Sequence, residues 1–375
     1  MSSQPLNRIV IQGYKSIRDA EVKLRPLNVL IGANGAGKSN FIGLFNLLNA
    51  IIEQRLQKFS KARGVDSLLH FGRKVTSAIE VELEFEGAEA NTANLYRIIL
   101  APSDRDTLFL ESEECAYWRK AEYDNPRWYA VGAAETETRL FEAAKRTSRR
   151  SPVDDVIDAL QDWKIYHFHD TSESSRLKQP ASLQDNHFFR PDASNLAAFL
   201  YFLQEQHPHS YTQIVRTVQQ IAPFFDTFVL APERLNPENE RIRLAWRHVE
   251  EDTYFDAHAL SDGTLRFMCL ATLLLQPELP SVILIDEPEL GLHPVAITLL
   301  ASLLRLASAR TQVIVSTQSV PLINQLDPED LIVVEREDQQ SVFTRLNSDQ
   351  LSGWLEEYGL GDLWEKNVLG GRPTR

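Results

Sequence analysis

The chain has 375 residues, 43% of them apolar and 24% charged, with a net charge of −13. That composition excludes a disordered chain and a general nucleic-acid coat, and the length allows one large or two ordinary domains. Cys115 and Cys269 lie without CxxC spacing, excluding a disulfide framework or zinc knuckle. Met1 to Pro5 is polar and uncharged, and the longest apolar stretch, Phe267 to Leu275, is far too short to span a bilayer, so a cytoplasmic protein without a membrane segment is expected.

Asn7 to Gln12 alternates as a strand does, Gly13 to Ile17 reads as a turn, and Glu21 to Leu24 reads as the hairpin partner. Leu27 to Ile31 is an apolar strand that runs into Gly32-Ala33-Asn34-Gly35-Ala36-Gly37-Lys38-Ser39-Asn40. Glycine spacing alone can be an ordinary turn. With a strand before it and a helix after it, Asn40 to Ala50, the stretch has the context of a P-loop. Backbone N–H groups of such a loop wrap phosphates, Lys38 reaches the β/γ oxygens, the Ser39 hydroxyl ligates Mg²⁺, and the helix N-terminus points at the anion. Gly32, Asn34, Gly35, Gly37, Lys38, Ser39 and Asn40 are the candidate nucleotide contacts. Tyr14 either joins the core or stacks on an adenine.

Arg55, Lys58, Lys61 and Arg63 form one basic cluster, and Lys145-Arg146-Thr147-Ser148-Arg149-Arg150 a second; each is either a solvated face or a local DNA contact. Ala78 to Glu86 alternates cleanly with acids on one face, and Leu95 to Leu100 continues an antiparallel sheet. Residues 87–223 read as a mainly helical insertion between an N-terminal part, 1–86, and a C-terminal part, 224–375, of one head. Inside it, Ser151-Pro152-Val153-Asp154 is a helix start, and Ser194 to Gln206 and Tyr211 to Ala222 are amphipathic helices. If Lys164 to Asp170 is a strand, His167 and His169 share a face; a metal seat there would want a third ligand, and the other reading is a buried strand with structural histidines.

Phe228 to Ala231 and Arg241 to Trp246 resume the strands. Leu260-Ser261-Asp262-Gly263-Thr264 then precedes an apolar helix, Leu265 to Leu275. Ser261 is either a plain N-cap or, with the Gly263 amide, a γ-phosphate contact. Val282 to Ile285 is an apolar strand ending in Asp286 and Glu287. Two adjacent carboxylates at the end of a buried strand are costly without a cation or substrate. Asp286 is placed to hold Mg²⁺ through water, and Glu287 to polarise an attacking water. Pro294 opens a helix through Ala307, and the strand Gln312 to Ser316 leads to Thr317-Gln318-Ser319.

P-loop, Leu260 to Thr264, the strand ending in Asp286-Glu287-Pro288, Glu289 to Pro294, then Ser316 to Ser319: this order resembles ABC-type ATPases of the SMC/RecF group. It is more closely similar to short bacterial RecF-like ATPases related to the ATPase half of OLD-type nucleases. The resemblance implies an α/β P-loop head with a mixed sheet and an antiparallel β subdomain, and ATP and Mg²⁺ as cofactors. It also implies a homodimer in which each γ-phosphate lies between Lys38 of one copy and Ser261 and Gly263 of the other, with Leu290 to His293 crossing the interface. Catalysis falls to Glu287, Lys38 and Gln318. The implied role is a nucleotide-gated ATPase in DNA repair or anti-phage defence. The alternative is an ATP-dependent scaffold for a separately encoded effector such as a nuclease, since too few residues follow Leu326 for the OLD nuclease domain. A transporter ATPase fits less well.

Three departures stand out. Asp262 replaces a more usual glycine, Gln318 stands where many ABC ATPases have histidine, and the glutamine that links the Mg²⁺ site to the insertion is not identifiable between Arg73 and Glu80. The stretch from Trp354 to Gly370-Gly371-Arg372-Pro373 also resembles the short branch, without chemistry assignable from sequence.

Overall fold

In a computed structural model, which describes residues 4–146, 150–236, 239–355 and 357–371, β1 (Leu6–Tyr14) and β2 (Ile17–Lys23) form the expected hairpin. β3 (Leu27–Ile31) crosses to a second sheet and delivers the glycine loop to α1 (Lys38–Ile52). Short helices α2 (Leu56–Arg63) and α3 (Val65–Leu68) precede four antiparallel strands, β4 (Ile79–Glu86), β5 (Thr92–Pro102), β6 (Leu108–Arg119) and β7 (Arg127–Glu135). These four complete an outer sheet of order β2-β1-β4-β5-β6-β7.

The chain continues through α4 (Leu140–Ala144), α5 (Pro152–Gln161), β8 (Trp163–Tyr166), β9 (Ala181–Ser182), α6 (Leu196–Gln206) and α7 (Pro208–Ile221). Short strands follow: β10 (Phe225–Val229), β11 (Glu233–Asn236), β12 (Asn239–Ile242), β13 (Ala245–His248) and β14 (Tyr254–Asp256). Then come α8 (Asp262–Leu275), β15 (Val282–Asp286), α9 (Pro294–Ser308), β16 (Gln312–Thr317) and α10 (Val320–Ile323). β17 (Leu331–Glu337), β18 (Gln340–Arg345), α11 (Ser348–Leu355) and α12 (Leu360–Glu365) close the described fold.

The inner sheet has the order β18-β17-β3-β16-β15-β8, parallel throughout except for β18. Helices α6 to α9 cover one face, and α1, α5 and the outer sheet cover the other, so its strands are buried on both sides and read as continuous apolar runs. Alternate residues divide between two cores. Val29, Ile31, Ile283, Ile285, Val313 and Val315 point toward α6 to α9, whereas Leu30, Val282, Leu284 and Ile314 point toward α1, α5 and the outer sheet. Gln312 joins the layers: its carbonyl accepts Leu6 N–H at 3.2 Å, and its amide donates to the Leu6 and Arg25 carbonyls at 2.9 and 3.1 Å.

The stretch 87–223 differs from the helical insertion expected. Its first part extends the outer sheet without a break, and β8 is an edge strand of the inner sheet beside β15. Extra residues opposite the Ile99–Leu100 and Glu113–Glu114 steps, Glu111 in β6 and Val131 in β7, explain the misreading, because each breaks the two-residue alternation of its own strand. The Ser151 helix start is as read: the Ser151 amide donates to Asp154 Oδ2 at 2.7 Å. Tyr14 is fully buried, so it belongs to the core and offers no face to a base. Strand β8 ends at Tyr166, before His167 and His169, and no cluster of three or more His, Cys, Asp or Glu suited to a metal occurs among the described residues. No described helix is long and apolar enough to cross a membrane.

Candidate functional site

The loop between β3 and α1 is shaped by glycines that cannot be replaced. Gly32 has φ +154°, and a Cβ there would lie 2.2 Å from the Val334 carbonyl; Gly37 has φ +121°, and a Cβ would lie 2.0 Å from Ser341 Oγ. A hydroxyl and amide network braces the loop from behind. Ser341 donates to the Ala36 carbonyl at 2.6 Å and lies 2.7 Å from Ser16 Oγ, which accepts Asn40 Nδ2 at 2.7 Å. Asn40 therefore braces the loop from within α1.

Lys38, the first residue of α1, is buried, and its ammonium donates to the Gly32 and Ala33 carbonyls at 2.6 and 3.0 Å. Burial lowers its pKa, and the nearby negative charges of Glu287, Asp286 and Glu289 oppose that shift. A buried cation facing three acids is the mark of a charge-handling site.

The acids come from β15. Asp286 closes the strand and accepts the Ser316 hydroxyl. Glu287 follows with φ +45°, a left-handed conformation that costs a non-glycine residue about 1–3 kcal/mol. Its amide donates to the Ser316 carbonyl at 2.9 Å, which holds the turn against β16. Gln318 Nε2 then lies 2.7 Å from Glu287 Oε1 and 2.7 Å from Asn34 Oδ1, tying the acid to the phosphate loop. Ser39 is exposed at the start of α1. Thus Lys38, Asn34, Glu287 and Gln318, read separately from sequence, converge where the parallel strands end, the usual position for ligands in such sheets.

Ser261 and Gly263 do not join this cluster within one chain. Ser261 caps α8, its Oγ accepting Thr264 N–H at 3.2 Å, and it is exposed. Gly263 abuts the loop after Glu287: a Cβ would lie 2.4 Å from the Gly291 carbonyl. Asp262 lies 3.7 Å from the Lys178 ammonium, which offsets its charge.

The sequence reading missed several parts. Glu289 accepts the Gln318 main-chain N–H at 3.4 Å and the Thr317 hydroxyl; burial pushes its carboxyl up against those bonds. Arg266 donates to the Leu290 carbonyl and to the His169 carbonyl, both at 2.9 Å, fixing the Leu290 to His293 loop to the segment that follows β8. Residues 73–80 lead into β4 of the outer sheet, and the register Ile285 with Tyr166 makes His167 the next residue along from Asp286's flank. Of the basic runs, Arg55 pairs with Glu53, Arg63 lies over Phe59, and Arg150 pairs with Asp155 and Asp158 at 2.7 and 2.8 Å. Thr147, Ser148 and Arg149 lie outside the described residues, as do Arg372 and Pro373.

Fold and loop together define a P-loop ATPase, and its fold is similar to that of Smc heads. The Smc head bound to the C-winged helix domain of ScpA aligns over 93% of this chain and 99% of its own, at 17% identity and a TM-score of 0.58. An Smc head with an extended coiled coil, bound to the C-terminal domain of ScpA and derived from Pyrococcus furiosus, aligns over 94% and 99%, at 15% identity and a TM-score of 0.58. The chain belongs to the family described as "AAA domain, putative AbiEii toxin, Type IV TA system", whose profile matches residues 27–324. Urease accessory protein 2 of Cryptococcus neoformans is 30% identical over 123 residues, 31% of this chain, and the chain spans only 9% of that protein's length.

Proposed function

We propose that this ATPase binds ATP with Mg²⁺ at the glycine loop and hydrolyses it as a nucleotide-gated homodimer, in DNA repair or anti-phage defence. The observation that carries the reading is the Gln318 amide, which bonds at once to Glu287 and to Asn34 of the phosphate loop. The residues present suit both cofactors. The loop is a tight turn that only glycine at Gly32 and Gly37 lets sit against Val334 and Ser341, and the Ser39 hydroxyl and Asp286 carboxylate are the hard oxygen donors Mg²⁺ takes. Bound Mg²⁺ would supply charge neutralisation at the β- and γ-phosphates.

Lys38 places a buried positive charge at the cradle. Glu287 presents a carboxylate there as acceptor of a water proton, and Gln318 fixes its rotamer. In the dimer, Ser261 and Gly263 of one copy meet the γ-phosphate held by Lys38 of the other. The exposure of Ser261 at the N-terminus of α8 supports that arrangement. Glu287→Gln keeps the shape and loses the base, so it retains ATP and accumulates dimer while turnover falls roughly 10²–10³-fold. Unchanged turnover in that variant overturns the assignment.

A second reading rests on the basic runs. Arg55 and Arg150 are already paired with acids, which favours ATP as an assembly signal for an effector protein over a DNA-stimulated cycle. ATP turnover of the whole chain with and without duplex DNA, with its mass in solution followed, decides between them. Stimulation by DNA supports the first reading; slow, DNA-indifferent turnover with dimer still forming supports the second.

A further inference from the structure

The Gly359 to Gly371 segment returns to the phosphate loop. α12 packs on α10, which begins directly after Gln318, and the Gly361 amide donates to Asn324 Oδ1 at 2.7 Å. The chain then runs to Gly370 and Gly371, both in left-handed conformations at φ +80° and +79°. Gly371 is buried. A Cβ on Gly370 would lie 2.7 Å from Glu335 Oε1, and one on Gly371 would lie 3.0 Å from Val333 Cγ1 and 3.3 Å from Gly32 Cα. Glycine is therefore required at both positions, for conformation and for space.

Two main-chain bonds fix the segment. The Gly371 amide donates to Glu335 Oε1 at 2.7 Å, and the Gly371 carbonyl accepts the Ala33 amide at 2.6 Å. The Ala33 N–H belongs to the same peptide unit as the Gly32 carbonyl, which accepts the Lys38 ammonium at 2.6 Å. A peptide unit is planar, so its N–H and C=O point in opposite directions and turn together. Holding the N–H from one side aims the carbonyl on the other. The freedom of the Gly32 backbone would otherwise let this plane rotate.

We propose that Gly371 is a positioning residue for the nucleotide site: its carbonyl sets the Gly32–Ala33 peptide plane, and that plane sets where Lys38 stands for the phosphates. Glu335 acts one step further out, by holding the Gly371 amide. The segment thus joins the phosphate loop to the helix that follows Gln318, so both ends of the site share one support. By linkage, ATP binding tightens the segment by the factor through which the segment tightens ATP binding.

This inference rests on the ATP-binding reading above, and the test separates the two. ATP affinity is measured for the full chain, Lys38→Ala, Gly371→Ala, Glu335→Ala and Glu335→Gln, with Tm and amide hydrogen exchange at Ala33 and along β3. Gly371→Ala and Glu335→Ala are expected to bind ATP three- to tenfold more weakly, the effect of about one hydrogen bond. The Ala33 amide exchanges faster in both while β3 stays protected, and Glu335→Gln, which keeps the acceptor, restores affinity. ATP affinity equal to the full chain's in both variants, with only Tm lowered, overturns the proposal while the ATP site stands. No ATP binding by the full chain, or binding that Lys38→Ala leaves intact, overturns the ATP reading and the proposal with it.

Discussion

The two six-stranded sheets treat charge in opposite ways. On the exposed face of the outer sheet the central acids are matched by bases: Arg8 bonds Glu82 and Glu84 at 2.6 and 2.9 Å, Lys120 bonds Glu84 at 2.6 Å, and Arg97 bonds Glu82 at 2.5 Å while lying 4.0 Å above the Trp128 ring. Burial pushes the Glu84 carboxyl up, but the bonds from Lys120 and Arg8 outweigh it and hold the carboxyl below its usual range. At the end of the inner sheet the acids Asp286, Glu287 and Glu289 share one buried cation, Lys38, and burial leaves Glu289 above its usual range. Cross-strand pairs that cancel locally support a sheet. Acids gathered at the ends of buried strands do not cancel, and that imbalance marks the working end of the molecule.

Variants can break this contrast. Lys38→Ala removes the one buried cation of the cluster, and ATP affinity is expected to fall 100-fold or more by the scale of charge-assisted phosphate contacts, with the Tm of the nucleotide-free protein changed by only about 2 °C. A large drop in Tm with ATP affinity intact would make Lys38 a scaffold residue and erase the distinction. Gln318→Ala frees Glu287 and Asn34 from each other; turnover is expected to fall about tenfold with ATP affinity nearly kept, in line with one positioning hydrogen bond. Steady-state and binding titrations on one preparation check it, and unchanged turnover removes Gln318 from the site.

Gly263→Ala sets a Cβ against the Gly291 carbonyl. ATP-dependent dimer, read by mass in solution, is expected to weaken about tenfold while each copy still binds ATP. Undiminished dimer would exclude Gly263 from the interface. The smallest effect belongs to the outer sheet: Glu84→Gln is expected to cost about 1 kcal/mol at pH 7 and to leave turnover unchanged. The sign follows from the lowered carboxyl. A group held below its unfolded pKa adds stability above that value and loses it as pH falls through its folded pKa, so the gap between Glu84→Gln and the parent closes below about pH 4. Denaturant midpoints at several pH values check this; a gap that widens in acid refutes the pairing.

Local features made much of this visible in sequence. β3, the glycine loop and α1 form one unbroken stretch, and β15 announces itself by an apolar run that stops at Asp286. The long strands of the outer sheet beyond β4 are harder to read, because bulges at Glu111 and Val131 shift the alternation by one residue. The strand read over Lys164 to Asp170 overlaps β8, but β8 is only four residues long at a sheet edge, Trp163 to Tyr166, too short a run to fix its ends or its place in the sheet. The glycine pair at 370 and 371 is visible in sequence, but its contact uses a main-chain carbonyl, and residue identity does not say which amide that carbonyl meets. The Asn34, Gln318 and Glu287 junction draws on three strand ends, so each residue could be nominated separately but their meeting depends on the sheet order.

That order also sets a timetable. β3, residues 27–31, is flanked by β16, residues 312–317, and β17, residues 331–337, so its neighbours leave the ribosome about 300 residues after it does. At about 5–20 residues per second, the phosphate loop waits on the order of tens of seconds for the walls that shape it. Such distant pairing is slow to nucleate, and until it happens the nascent chain has no competent pocket. The outer sheet, built from near neighbours in the chain, has its partners to hand much earlier. ATP therefore meets a site only once the distant strands are in place, and a shortened chain lacking β17 would leave the loop unsupported.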